Sequence, residues 1–186
     1  MSTIHSFAWS LVEGFNHDIR DWLRIELKEG IEDLKAKEAR GRKGTQASKD
    51  RLADIASKER RLERIDTIKR FVYSPDTDNR GRDALNHAEV LKLAGEFLTK
   101  KPTLQKIVRD AYPIILVDES QDTNRHIVDA LFEFERTQRG YISVGLFGDM
   151  MQRIYGDGKA DLGENLPESW VTPTKQLNFR CPKRVI

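Results

Sequence analysis

The stretch Pro113-Ile114-Ile115-Leu116-Val117-Asp118-Glu119-Ser120-Gln121-Asp122-Thr123-Asn124 decides how the rest of the chain is read. Its aliphatic run, Ile114 to Val117, predicts a buried strand of the kind found in parallel sheets. The run ends abruptly in Asp118, Glu119, Gln121 and Asp122. Acidic groups therefore fall at the carboxyl end of a strand, where open α/β sheets bind ligands. Carboxylates are costly there unless something cationic shares the site. The plainer alternative is a strand that ends in a polar turn, with the carboxylates capping the helix that follows.

If the cation is Mg²⁺, a hard ion held by one or two carboxylates together with phosphate oxygens and water, Asp118 is its ligand. Glu119 is then placed to position and deprotonate an attacking water. A second stretch, Ile142 to Tyr155 (ISVGLFGDMMQRIY), repeats the design: an aliphatic strand runs into Gly148 and Asp149, with Gln152 and Tyr155 beyond. Gly148 lets the backbone pass close to a ligand, and Gln152 is a neutral group able to bond both a phosphate oxygen and a water. A third, Gln176 to Pro182 (QLNFRCP), puts Arg180 at the end of a strand expected over 175–180, with Pro182 opening another helix. A guanidinium matches phosphate geometry.

Outward from these stretches, helical periodicity predicts a helix over 123–139 with Ile127, Leu131 and Phe134 inward, and a second buried strand over 141–147. Upstream, 85–98 reads as a helix carrying Val90, Leu91, Leu93, Ala94 and Phe97, and a short helix runs through Leu104, Ile107 and Val108. Residues 74–83 form a loop by composition. The first half of the chain is helical: a short helix over 4–14 closes near Gly14, and a long one over 17–39 carries Ile19, Trp22, Leu23, Ile31 and Leu34. The Gly-rich segment 39–48 then breaks the pattern. A further helix over 48–70 sets Leu52, Ile55, Leu62, Ile65 and Ile68 on one face. Two long helices joined by such a turn predict an antiparallel hairpin. The fold class is α/β, with a helical arm inserted into a layer of parallel sheet.

Among 186 residues, 38% are hydrophobic and 33% charged, which describes a globular chain rather than a disordered one. No apolar run approaches the roughly 20 residues that cross a bilayer, and no secretory signal is visible, so the expectation is a cytoplasmic protein with no membrane partner. One cysteine, Cys181, and four scattered histidines predict neither a disulfide nor a structural metal site. The net charge is only +2, but residues 35–70 hold thirteen Lys and Arg against six Asp and Glu. That run is either a solvated face of the arm or a surface for DNA. Trp9, Trp22 and Trp170 read as packing residues, since no aromatic cluster accompanies them in the sequence.

In their order, the three acidic or basic stretches resemble the UvrD/Rep/PcrA helicases of superfamily 1. Val117-Asp-Glu-Ser-Gln-Asp122 resembles motif II, Gly148-Asp-Met-Met-Gln-Arg-Ile-Tyr155 motif III, and Leu177-Asn-Phe-Arg-Cys-Pro182 motif IV. Thr3-Ile4-His5-Ser6-Phe7 is similar to motif Ib, and Leu85–Leu98 with Leu104–Tyr112 to the helical lead-in to motif II. The resemblance implies a RecA-like (P-loop NTPase type) motor that uses ATP and Mg²⁺ and moves 3′ to 5′ on single-stranded DNA, or on DNA with single-stranded tails. It implies Asp118 as magnesium ligand and Glu119 as catalytic base, with Gln152 and Arg180 contacting the γ-phosphate. Gln121, Asp149 and Tyr155 belong to the same nucleotide site. Thr3, His5 and Ser6 are placed on DNA. Residues 1–14 and 83–172 become parts of the first motor domain, 15–82 an inserted 1B-like subdomain, and 173–186 the start of the second motor domain. DNA repair and a nuclease partner fit the same family.

Three departures qualify that picture. No Gly-x-x-x-x-Gly-Lys-Ser/Thr is present, and Gly41-Arg42-Lys43-Gly44-Thr45 has the wrong order and lies between helices. The match begins at motif Ib and ends after motif IV, so the expectation is an internal piece of a helicase that alone neither binds ATP tightly nor unwinds DNA. Where many relatives carry a base-stacking aromatic after motif III, Gly156-Asp157-Gly158 stands here. The competing readings are a non-catalytic DNA-binding or regulatory remnant, and a metal nuclease built on Asp118, Glu119, Asp122 and Asp149.

Overall fold

The computed structural model of the chain describes residues 2–74, 84–149, 166 and 170–173. Helix α1 (Ile4–Val12) is capped by Thr3, whose hydroxyl accepts from the amide of Ser6, and Gly14 turns the chain with φ +89°. Two long helices follow, α2 (Asn16–Arg40) and α3 (Gln46–Arg64), the second capped by Thr45. Cross-links run Arg24 to Asp66, Lys35 to Glu59 and Glu38 to Ser48 and Arg51. Rising numbers on one helix meet falling numbers on the other, so the hairpin is antiparallel, as the sequence predicts.

The second helix of the hairpin ends earlier than its periodicity suggests. It stops at Arg64, and a 3-10 turn, Ile65–Thr67, carries Ile65 and Ile68 into the core. Only Ile55 of α3's own apolar residues is buried; Leu52 is 52% exposed, because among the described elements that stretch has only α2 beside it. Part of the arm's basic charge is paired within the protein. Lys35, Lys37, Arg51, Arg61 and Arg70 each hold a carboxylate.

A short parallel pair, β1 (Val72–Tyr73) with β2 (Ala84–Leu85), leads into α4 (His87–Lys100). A capping box starts α4: Asn86 accepts from the Glu89 amide, and the Glu89 carboxylate accepts from the Asn86 amide. Val90, Leu91, Leu93, Ala94, Phe97 and Leu98 are buried on more than one side of α4, because α1 packs on one flank and α6 on another. Each such large apolar side chain stabilises by about 1.5–3 kcal/mol. Gly95 permits the close approach: a Cβ there would stand 2.9 Å from the His126 carbonyl oxygen of α6.

Helix α5 (Pro102–Ala111) precedes β3 (Ile114–Val117), and α6 (Arg125–Thr137) carries the chain over to β4 (Ser143–Leu146). The strands pair in parallel, Ile114 opposite Ser143 and Val117 opposite Leu146. Ile127, Leu131 and Phe134 of α6 face inward as their spacing predicts. The expectation of strands buried on both faces is corrected. Val117 is 7% exposed, but Ile114 is 65%, Leu116 64% and Phe147 56% exposed. Alternate residues point to opposite faces of a strand, and among the described residues helices cover only one face of this pair. The strand expected over 175–180 and the helix expected from Pro182 lie outside the described residues, as does 75–83 of the expected loop.

Candidate functional site

Val117 ends β3, and the backbone then turns sharply. Glu119 adopts φ 51°, ψ 42°, the only left-handed non-glycine residue among those described. That conformation costs an ordinary residue roughly 1–2 kcal/mol. Such strain persists only where the surroundings impose it, and an outlier of this kind points toward function.

What imposes it is visible. Asp118 Oδ1 accepts from the Glu119 amide at 3.0 Å. The Ser120 amide donates to the Phe147 carbonyl at 2.9 Å, and the Phe147 amide to the Val117 carbonyl at 2.8 Å, so the turn is laced to the end of β4. Gln121 is the hub. It is 1% exposed; its Nε2 donates to Glu119 Oε2 at 2.7 Å, and its Oε1 accepts from the Asp149 amide at 3.2 Å. Both ends of one buried amide are thereby satisfied, joining the two strand-end stretches. Gly148 makes this possible, since a Cβ there would lie 2.3 Å from Gln121 Oε1 and 2.8 Å from Ser120 Oγ.

The capping alternative is settled by Asn124. Its side chain, not Asp118 or Glu119, accepts from the His126 amide at the start of α6. Asp118 and Glu119 remain exposed at the carboxyl edge of the parallel pair. Among the described residues no group of three or more His, Cys, Asp or Glu could hold a metal ion. The donor set fits a hard cation that takes one or two carboxylates and fills its shell with water and phosphate oxygens. It does not fit a metal caged wholly by protein. Gln152, Tyr155 and Arg180 lie outside the described residues.

Thr3 and Ser6 sit at the exposed start of α1, with the Thr3 hydroxyl donating to Ser6 Oγ at 2.9 Å. His5, in the same turn, meets His87 with ring centroids 4.3 Å apart. Burial, and after it the charge of His87, hold the His5 imidazole below its ordinary pKa. Tyr73 bonds His87 Nδ1, and Trp9 stacks beside Tyr73 at 6.1 Å. Trp9 thus does have aromatic company, assembled from positions 5, 73 and 87 that no local pattern connects. The other tryptophans pack as anticipated and spend their N–H groups: Trp22 on Glu96 at 3.0 Å, Trp170 on Glu135 at 3.3 Å.

Two comparisons place the chain among known proteins. The family described as UvrD/REP helicase N-terminal domain matches residues 20–166, well over half of the chain. Gabija protein GajB of Bacillus cereus (strain HuB5-5) is 30% identical over 105 residues, covering 55% of this chain and 15% of that protein. The chain thus corresponds to a small part of that relative's length. No solved structure gives a significant match.

Proposed function

The chain belongs to the UvrD/REP helicase N-terminal domain family, and from that premise we propose that it forms part of an ATP-dependent DNA helicase or translocase. The observation that carries the proposal is the strand-end turn. Two exposed carboxylates stand beyond a parallel strand, the second held in a strained backbone by a buried glutamine. The residues 1–14 and 83–172 are assigned to a RecA-like motor domain, 15–82 to a 1B-like insertion and 173–186 to the start of a second motor domain.

In this reading Asp118 orients the nucleotide's magnesium, which when bound neutralises charge on the phosphates. Glu119 accepts the proton of the attacking water. Gln121 holds the Glu119 carboxylate to one orientation, so that its second oxygen is presented outward. The backbone of Asp149 is held by the same glutamine amide. Gln152, Tyr155 and Arg180 complete the nucleotide contacts, with Arg180 and Gln152 reporting the γ-phosphate. Thr3, His5 and Ser6 meet the DNA backbone. The substrate is single-stranded DNA, or DNA with single-stranded tails, and a nuclease partner is compatible with the family.

The test uses the protein in which this segment is joined to a phosphate-binding loop. Glu119→Gln removes the base while keeping the amide able to accept from Gln121. DNA-stimulated phosphate release should fall about a hundredfold or more, the usual worth of a general base. Unchanged turnover would remove Glu119 from the chemistry. The 186-residue chain by itself should release phosphate only at background.

A further inference from the structure

Away from the strand-end turn, three elements bring titratable side chains together at the surface. His5 lies in the first turn of α1, His87 opens α4, and Tyr73 comes from β1. We propose that His5 and His87 form a proton-linked phosphate site, which grips a backbone phosphate of single-stranded DNA and takes up a proton in doing so. The inference rests on the DNA-binding reading above and adds to it a second gripping residue and a dependence on pH.

The geometry is that of two imidazoles meeting nearly edge-on at 4.3 Å, with an interplanar angle of 64°. Tyr73 fixes the orientation of His87. A phenol is the stronger acid of the two, so its O–H donates to Nδ1. The neutral ring then carries its hydrogen on Nε2, ready to donate. Trp9, stacked beside Tyr73, backs the arrangement. His87 is exposed and His5 half-buried.

Among the described residues the surrounding charges leave the pair without a counter-ion. On α1 the neighbours are the hydroxyls of Thr3 and Ser6, and Glu13 lies past the far end, beside Arg70. On α4 the Glu89 carboxylate is occupied by Arg61 and the Asn86 amide. From β1 only the Tyr73 phenol faces the pair. Among the described residues neither imidazole has a carboxylate partner. Two imidazolium charges at this separation repel, and burial disfavours a charge on His5. Both effects oppose a charge on His5 in the free protein, and a phosphate that accepts from the two rings at their outer edges offsets them.

The sign follows from linkage. If the bound anion raises the imidazole pKa values, binding strengthens as pH falls through the bound values, and the gain saturates below the free ones. The probe is a short rhodamine-labelled oligothymidylate, neither the bases nor the label of which titrates in this range. Its anisotropy would be followed with the full chain at low salt between about pH 5.5 and 8, the range around the ordinary imidazole value. Imidazole proton signals would be recorded in parallel by NMR. Affinity should rise about tenfold or more on acidification, since one unit of pKa shift is a tenfold change. His87→Gln, at an exposed position and checked by circular dichroism, should lose most of that rise, and His5→Gln should do likewise.

Binding that ignores pH, or variants that keep the wild-type slope, would overturn the proposal while leaving DNA binding intact. Imidazole shifts with inorganic phosphate but not with the oligonucleotide would overturn its assignment to DNA. No binding of the oligonucleotide at any pH would defeat the DNA-binding reading itself, and this inference with it.

Discussion

Gln121 shows best what single residues do here. In the sequence it reads as one polar group among several beyond a strand, and its burial is not legible because nothing local predicts that β4 will return beside it. The structure makes it the amide that holds Glu119 and receives the Asp149 backbone. Gln121→Ala should therefore do two things. It removes a fully buried side chain and the acceptor of the Asp149 amide, at a cost of about 0.5–3 kcal/mol in chemical denaturation. It also frees Glu119, so hydrolysis in the full motor should fall more than stability does. Gly148→Ala is the complementary insult. The new methyl carbon would stand 2.3 Å from Gln121 Oε1, and overpacking of this kind costs about 1–3 kcal/mol. A Gly148→Ala protein with wild-type stability would mean that the turn is looser than its geometry indicates. Gly148 itself was readable as a place of close approach, and the neighbour it admits among the described residues is Gln121.

Helices and strands differ in how much of them the sequence discloses. Helices α1, α2, α4 and α6 fall close to their periodic patterns, because an amphipathic helix declares both its presence and its inward face in 3.6-residue spacing. Helix α3 departs at its tip, where Leu52 is on the helix's periodic stripe but has no body to face. The strands are harder. A run such as Ile114–Val117 is apolar on both faces, so it announces a strand without saying how many layers cover it. The two faces should respond differently to substitution. Val117→Ala removes buried methyls and should cost about 1–2.5 kcal/mol, whereas Leu116→Thr, at 64% exposure, should change stability by less than about 0.5 kcal/mol. Equal losses at the two positions, measured by urea titration, would show that both faces are covered in solution.

At the scale of the whole molecule, the arm and the α/β body are joined by charged and polar contacts over an apolar base. Trp22 of α2 donates to Glu96 of α4, Lys92 of α4 meets Glu26 of α2, and Arg61 of α3 meets Glu89 of α4. Glu96 is the telling member. Burial alone would raise its pKa, but hydrogen bonds from Lys100 and Trp22, with the charges of Lys100 and Lys92, outweigh that and lower it. A carboxyl depressed in the folded state contributes stability that is fully present above its unfolded pKa and is lost as pH falls through the folded one. The stability that Glu96 contributes should therefore fall on the acid side of the ordinary carboxylate range and stay level near neutrality. Glu96→Gln isolates the effect, because the amide oxygen still accepts from Trp22 while the charge that Lys100 and Lys92 use is gone. Thermal melts across that acid range should show a shallower loss of stability in the variant than in the wild type. Parallel curves would move the acid sensitivity elsewhere, to groups such as Glu133, which the Arg136 hydrogen bond also lowers.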